Sequence, residues 1–456
     1  MEMRKEHDSL GEVLVPADKL YGAQTQRSFE NFKIGEEKMP TEVVRALAVV
    51  KLASARANAR LKPEKMTAEK LSYIEKVTAE ILNGELDAHF PLSVWQTGSG
   101  TQSNMNSNEV IANRANQLAG KVLLHPNDDV NMSQSSNDTF PAAMHIAAYS
   151  EIVNKLLPAA EELIATFGRL EKENTDAVKC GRTHLQDATP ITFAQEISGW
   201  RASIERDCEM IRSMSAYLTT LALGATAVGT GLNAPEGFDV LVADEVAKIM
   251  DMPFVTDTNK FHSLTSKGEL ASAHGAIRAL AADLMKIAND VRHLASGPRC
   301  GLGEIFIPEN EPGSSIRPGK VNPTQCEALT MVAVRVIAND VAVGTAASLG
   351  NFELNVFMPV AIYSFLQSVR LLSDAMRSFN KNCAVGIRAN REKMKENLDR
   401  SLMTATALSP IIGYENAARV VHKAHGEGIT IKEACLALGY LDEEKFDECY
   451  HPERMV

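Results

Sequence analysis

The chain has 456 residues, 45% of them hydrophobic and 23% charged, which is the composition of a folded globular protein and excludes a disordered one. Lys and Arg number 47 against 58 Asp and Glu, a formal net charge of −11; that argues against a nucleic-acid partner, because phosphate contacts need a basic face. A small anionic ligand would meet a repulsive global field, so local cations and N–H donors would have to hold it.

The chain opens on a charged stretch, MEMRKEHDSLGEVLVP, with no apolar run of a secretory signal and too many acids for a transit peptide. The first unusually polar segment is QTGSGTQSNMNSN, 96–108. It fits either a solvated loop capping the next helix or a nest of N–H and hydroxyl donors for an anion, in which Ser99 and Thr101 flank Gly100 and reach one carboxylate. HPNDDVNMSQSSND, 125–138, is a break in the helical pattern, and its Ser135, Ser136 and Asn137 are again caps or neutral ligand donors. Ile152, Leu156, Ala159, Leu163 and Thr166 then form a helical stripe that Pro158 should kink.

CGRTHLQDATP, 180–190, follows. A lone histidine is more often structural than catalytic, but His184 lies among small polar residues and off any apolar stripe, which favours acid/base work. Strand signals are few, YLTTLALG being the nearest. It lies in the longest uncharged run, Ser213 to Pro235, which holds six Ser or Thr and three Gly. That run is too polar for a membrane span and is expected to be buried core beside a polar site. From Leu270, apolar residues recur at Ala273, Ile277, Leu280, Leu284, Ile287, Val291 and Leu294, a heptad seam that wants partner helices on both flanks, more than a single chain is expected to supply. A Gly- and Pro-rich break at 297–323 contains GSSIRPGKVNP, a loop in which Lys320 and Asn322 are donors on alternate residues. Ser314 there needs a nearby ammonium and N–H groups to act as a base. A third apolar helix covers 325–349, and a weaker break covers 384–391.

The architecture is therefore all-α in the main, a bundle of long helices. Domain boundaries fall near 134 and 387, giving an N-terminal domain (1–134), a central long-helix domain (135–387) and a small C-terminal helical domain (388–456). Gly224-x-x-x-x-Gly229 precedes Thr230 and is no P-loop; Gly301-x-Gly303 lacks a dinucleotide fingerprint; His and Cys show no metal-ligand spacing. Seven cysteines, odd in number and without a C-x-x-C pair, suit reduced thiols in the cytoplasm.

Taken together, TGSGTQSNMN, SQSSND, GRTHLQDATP and Gly313-Ser314-Ser315-x-x-Pro318-x-Lys320-x-Asn322 resemble the fumarase/aspartase superfamily, and specifically its class II fumarate hydratases, over essentially the whole chain. His184 after GRT, SQSSND, and PTQCEA after the loop separate it from aspartate ammonia-lyase, which is the alternative on the same scaffold. A non-catalytic helical assembly protein would have no reason to keep these polar segments. The resemblance implies reversible anti addition of water to fumarate, giving (S)-malate, a step of the tricarboxylic acid cycle. It implies Ser314 as base, His184 as acid oriented by Glu327, and Lys320 and Asn322 on the carboxylate. Ser99, Thr101, Ser135, Ser136, Asn137, Thr183 and Ser315 would bind substrate, with His125, Asn127 and Asp128 forming a second anion site. It further implies a homotetramer with a twenty-helix core and active sites shared by three subunits, no metal or organic cofactor, no nucleic acid and no membrane. Two positions depart from the family pattern: Arg317 stands where the loop usually has Met, and Met358 where a basic residue is usual. This is either a compensated exchange or two independent surface changes.

Overall fold

The computed structural model describes residues 2–313 and 319–456. Its helices are α1 (Ala23–Asn31), α2 (Thr41–Leu61), α3 (Ala68–Leu82), α4 (Thr101–Ala119), α5 (Ser136–Glu151), α6 (Leu157–Glu173), α7 (Phe193–Ser215), α8 (Phe238–Met250), α9 (Lys260–Thr265), α10 (Gly268–Leu294), α11 (Thr324–Ala347), α12 (Met358–Asn382) and α13 (Arg391–Arg400), followed by shorter helices to Cys449. No described helix is long and apolar enough to cross a membrane.

Two compact units divide the chain. The first comprises Met1–Leu157, Glu209–Ala279 and Val334–Leu371, the second Pro158–Cys208, Leu280–Ala333 and Leu372–Val456. In the first, α2 is apolar on almost every side, with Val43, Val44, Leu47, Val50 and Ala53 buried, so α3, α4, α5 and α8 all pack on it. Ile74, Val77 and Ile81 of α3 and Val110, Ile111 and Ala115 of α4 complete that core; each large aliphatic side chain removed from water contributes about 1.5–3 kcal/mol. In the second unit an antiparallel hairpin, β3 (Val178–Thr183) and β4 (Gln186–Thr192), packs against α13. The C-terminal residues build a separate apolar cluster around Leu408, Val420, Ile431 and Phe446.

Three features depart from the sequence expectations. The charged opening stretch is a hairpin, β1 (Met3–Asp8) with β2 (Gly11–Pro16), in register from Met3↔Pro16 to Asp8↔Gly11. Val15, fully buried, and Val13 turn into the core of the first unit, and polar bonds hold the rest: Arg4 donates to the carbonyl of Pro16 (2.8 Å) and Arg27 to Asp8 (2.7 Å). The apolar alternation is confined to β2, and β1 carries none. The heptad seam of α10 needs no second chain to cover it: all eight positions from Leu270 to Leu294 are at most 4% exposed. The unpartnered apolar face lies instead on α11, where Met331, Val334 and Val341 are 67%, 60% and 68% exposed. Finally, the stripe at Ile152 is interrupted by a single π-helical turn, Ile152–Leu156. Pro158 has no N–H to give the carbonyl four residues back, and the helix widens there.

Candidate active site

QTGSGTQSNMNSN is no solvated loop. It turns at Gly100 into α4, and Asn104, Asn106, Asn108 and Glu109 are at most 4% exposed. The glycines are dictated by packing. A Cβ on Gly98 would meet the carbonyl oxygen of Val356 at 1.4 Å, and one on Gly100, at φ +72°, the ring of Phe140 at 2.3 Å. The turn points its hydroxyls along one line: Ser99 Oγ lies 2.8 Å from Thr101 Oγ1, which lies 2.8 Å from Ser136 Oγ. Thr101 and Ser136 are the first residues of α4 and α5. Two helix N-termini thus converge on a row of neutral hydroxyl donors, an arrangement whose dipoles and hydroxyls suit a carboxylate. Ser135 caps α5, accepting from Asn137 N (3.1 Å), and Asn137 Nδ2 donates to the carbonyl of Ala227 (2.8 Å). Of the 213–235 run, expected as buried core, only the middle is so: Leu221, Leu223, Ala225 and Thr226 are buried beside Asp138, while Tyr217, Val228 and Leu232 are exposed.

Beneath this row lies a buried network. Lys51 of α2, fully buried, donates to Asn104 Oδ1 (2.6 Å), Asn131 Oδ1 (3.0 Å) and Gln134 Oε1 (2.9 Å). Asp138 accepts from the N–H groups of Ser135 (3.0 Å), Gly224 (3.1 Å) and Thr226 (2.8 Å). Burial pulls the Lys51 ammonium down to about 7 and pushes the Asp138 carboxyl up to about 7, and their mutual attraction opposes both shifts. Three acceptors on one and three donors on the other are the partners of an ammonium and a carboxylate. None of these groups stood out in the sequence; the available signal was a lysine between Val50 and Leu52 in the most apolar helix.

His125, Asn127 and Asp128 fall in one short turn. Asp128 N donates to His125 Nδ1 (3.2 Å), and all three side chains face solvent.

In the second unit, His184 and Leu185 form the two-residue turn between β3 and β4. Both have positive φ, 56° and 60°, as a type I′ turn requires. Thr183 pairs with Gln186 across the hairpin, and Thr183 and His184 are exposed. The hairpin is anchored from below. Glu304, 0% exposed, accepts from Arg182 at 2.6 and 3.1 Å and from Asn397 at 3.0 Å, and lies 3.3 Å from the buried ammonium of Lys179.

The loop that carries Lys320 closes at a tight neck. A Cβ on Gly313 would meet the Lys320 carbonyl at 1.6 Å, and Asn322 Nδ2 donates to the Gly313 carbonyl at 2.6 Å. Lys320 and Glu327 are exposed. No hydrogen bond joins Glu327 to His184 among the described residues. Ser314, Ser315 and Arg317 lie outside those residues. Met358 is not a surface position: it opens α12, is 0% exposed, and donates its N–H to the Gly98 carbonyl at 3.1 Å. Among the described residues, no group of three or more His, Cys, Asp or Glu is placed to hold a metal ion.

Comparison with known proteins gives this constellation a family. Residues 11–338 match the model of a lyase family, and residues 405–456 match that of the fumarase C C-terminus. The chain is 60% identical over 460 residues to the class II fumarate hydratase of Bacillus subtilis (strain 168), covering 100% of this chain and 99% of that protein. It is 57% identical over 461 residues, with the same coverage, to the class II fumarate hydratase of Helicobacter pylori (strain J99 / ATCC 700824). A crystal structure of class II fumarase from Schistosoma mansoni superposes with a TM-score of 0.96 at 39% identity, covering 100% of this chain and 99% of that one. The helical architecture, the paired helix N-termini and the full-length likeness agree, and the chain belongs to the class II fumarate hydratases.

Proposed function

We propose that this chain adds water reversibly and in anti fashion to fumarate, giving (S)-malate, as a step of the tricarboxylic acid cycle. The observation that carries the reading is the hydroxyl row Ser99–Thr101–Ser136 at two converging helix N-termini, a site for a carboxylate. Ser135, Asn137, Thr183 and Ser315 complete substrate binding. In the direction of dehydration, Ser314 removes a C3 proton of malate, and the electron pair moves into the adjacent carboxylate as a dianionic aci-carboxylate. Lys320 and Asn322 stabilise that charge, each donor of this kind being worth about 3–4 kcal/mol. His184, oriented by Glu327, then protonates the departing C2 hydroxyl on the opposite face. His125, Asn127 and Asp128 form a second anion site.

Thr183, His184, Lys320 and Glu327 are exposed on a single chain, and α11 leaves an apolar face uncovered. Both facts support a homotetramer with a twenty-helix core, in which each active site draws on three subunits. The separate apolar cluster of the C-terminal residues supports a small domain over 388–456, beside domains over 1–134 and 135–387. Seven free cysteines support a cytoplasmic location.

The test is the ultraviolet absorbance of fumarate after mixing the purified protein with (S)-malate. Rising absorbance that Ser314→Ala abolishes and His184→Asn strongly reduces is the expected result. A flat trace from a well-folded tetramer, or ammonia released from aspartate in its place, would overturn the reading.

A further inference from the structure

The first turns of α4 and α5 are joined by two rungs. The upper is Thr101–Ser136; the lower, three residues further along each helix, is Thr139 Oγ1 donating to Asn104 Oδ1 at 2.9 Å. The lower rung is where Lys51 attaches, since Asn104 Oδ1 also accepts from its ammonium at 2.6 Å. The other two protons of that ammonium go to Asn131 and Gln134. Asn131 Oδ1 in turn accepts from Asn104 Nδ2 (3.2 Å) and Asn108 Nδ2 (3.1 Å). One cation therefore ties α2, α4 and the chain leading into α5 to a common point directly under the hydroxyl row.

Packing does not explain a lysine here. Burying an ammonium among neutral oxygens costs several kcal/mol, and methionine would match its length without that cost. Among the described residues no carboxylate lies within ion-pair distance of Lys51; Asp138, whose charge attracts it from further off, is held by three backbone N–H groups of its own. What a buried positive charge offers at this point is attraction for an anion bound above it, together with a fixed spacing of the two helix N-termini.

We propose that Lys51 is a positioning residue for substrate binding: its ammonium, shared among Asn104, Asn131 and Gln134, holds Thr101 and Ser136 in register and supplies the site with a buried positive charge. The proposal rests on Thr101 and Ser136 binding a substrate carboxylate. It predicts a specific kinetic pattern in the full-length enzyme. Lys51→Met raises KM for (S)-malate at least ten-fold and changes kcat much less, because the lost contact serves ground state and transition state alike. It also weakens succinate, a non-reacting dicarboxylate, by a similar factor in calorimetry. Gln134→Leu removes one acceptor and raises KM by a smaller factor, and it decides the matter if Lys51→Met does not fold. A folded variant with lowered thermal stability but unchanged KM and unchanged succinate affinity assigns Lys51 to scaffolding alone and overturns the proposal. If the unmodified protein neither acts on malate nor binds succinate, the assignment of the site itself has failed, which is a different result.

Discussion

The carbonyl oxygen of Val356 occupies the space where any residue but glycine at 98 would place its Cβ, 1.4 Å away. The loop before α12 thus presses on the backbone of the Gly98–Gly100 turn, and the next link, Met358 N–H to the Gly98 carbonyl, fixes the contact. Gly98→Ala forces one backbone to move. It should destabilise the protein by about 3 kcal/mol, at the upper end of overpacking costs, and raise KM as Ser99 and Thr101 shift. Urea midpoints and initial rates measure both; a variant as stable as the parent would contradict the close approach.

Glu304 is the centre of the ion network under the His184 turn. Burial pushes its carboxyl up, but the bonds from Arg182, the charge of Lys179 and the bond from Asn397 together hold it below the usual glutamate range. A carboxyl depressed by folding contributes stability above its unfolded value, near 4.5, and loses it as pH falls through the folded value. Glu304→Ala takes the carboxylate from Arg182 and leaves the buried Lys179 to Glu196, 3.4 Å away, and should cost about 3 kcal/mol at neutral pH. Denaturation followed from pH 6 down to pH 2.5 should show a deficit that is constant above about pH 4.5 and shrinks below it; a deficit that stays constant over the acid limb would leave the charge without a role.

Asp207 of α7, which faces Asp283 of α10, behaves in the opposite sense. Asp207 is 1% exposed, and burial, followed by the charge and hydrogen bond of Asp283, pushes its carboxyl up to about 8. A carboxyl raised by folding stabilises the protein fully below its unfolded value, near 4, and that contribution is lost as pH rises through about 8. Asp207→Asn keeps the donor and removes the titration. The Tm of the variant relative to the parent should rise between pH 5 and pH 8.5. A difference that stays flat or falls over this window contradicts a shared proton.

The exposed face of α11 should join copies of the chain. Val334→Glu with Val341→Glu places carboxylates on that face without touching the buried residues Leu329, Val336 and Val343. Light scattering should report a reduced mass, and activity should be lost even though Ser314 and His184 are unchanged. Unaltered mass would show that the face lies outside the interface.

How far the sequence discloses the structure depends on what kind of force holds each part. Helix α10 was legible because its seam repeats apolar residues at helical spacing, and burial follows from that pattern directly. The β1–β2 hairpin was not, because only Val13 and Val15 of β2 reach the core, while β1 is held by side-chain bonds of Arg4 and Asp8 that leave no periodicity. The 96–108 segment was recognisable as polar and unusual, yet polarity alone suggested solvent; only the structure shows Asn104 inside, bonded to Lys51 and Asn131, with the amide of Asn108 donating to the same Asn131 oxygen. Lys51 itself was hidden for the same reason. Its three partners come from positions 53, 80 and 83 residues away, a relation that no local pattern encodes.

The turn at His184 and Leu185 has one last implication. Among the described residues the imidazole has no hydrogen-bond partner, and its Cα–Cβ bond leaves a backbone that two ordinary residues hold at positive φ, each at a penalty of roughly 1–2 kcal/mol. Leu185 tolerates that conformation poorly, whereas asparagine or glycine would accept it freely. The turn therefore fixes where the side chain leaves the main chain, as a socket fixes the foot of a lamp, while the torsions of the ring stay open for Glu327, its proposed partner, to settle. A change in the length or register of the hairpin would move that foot, whatever became of the imidazole's partners.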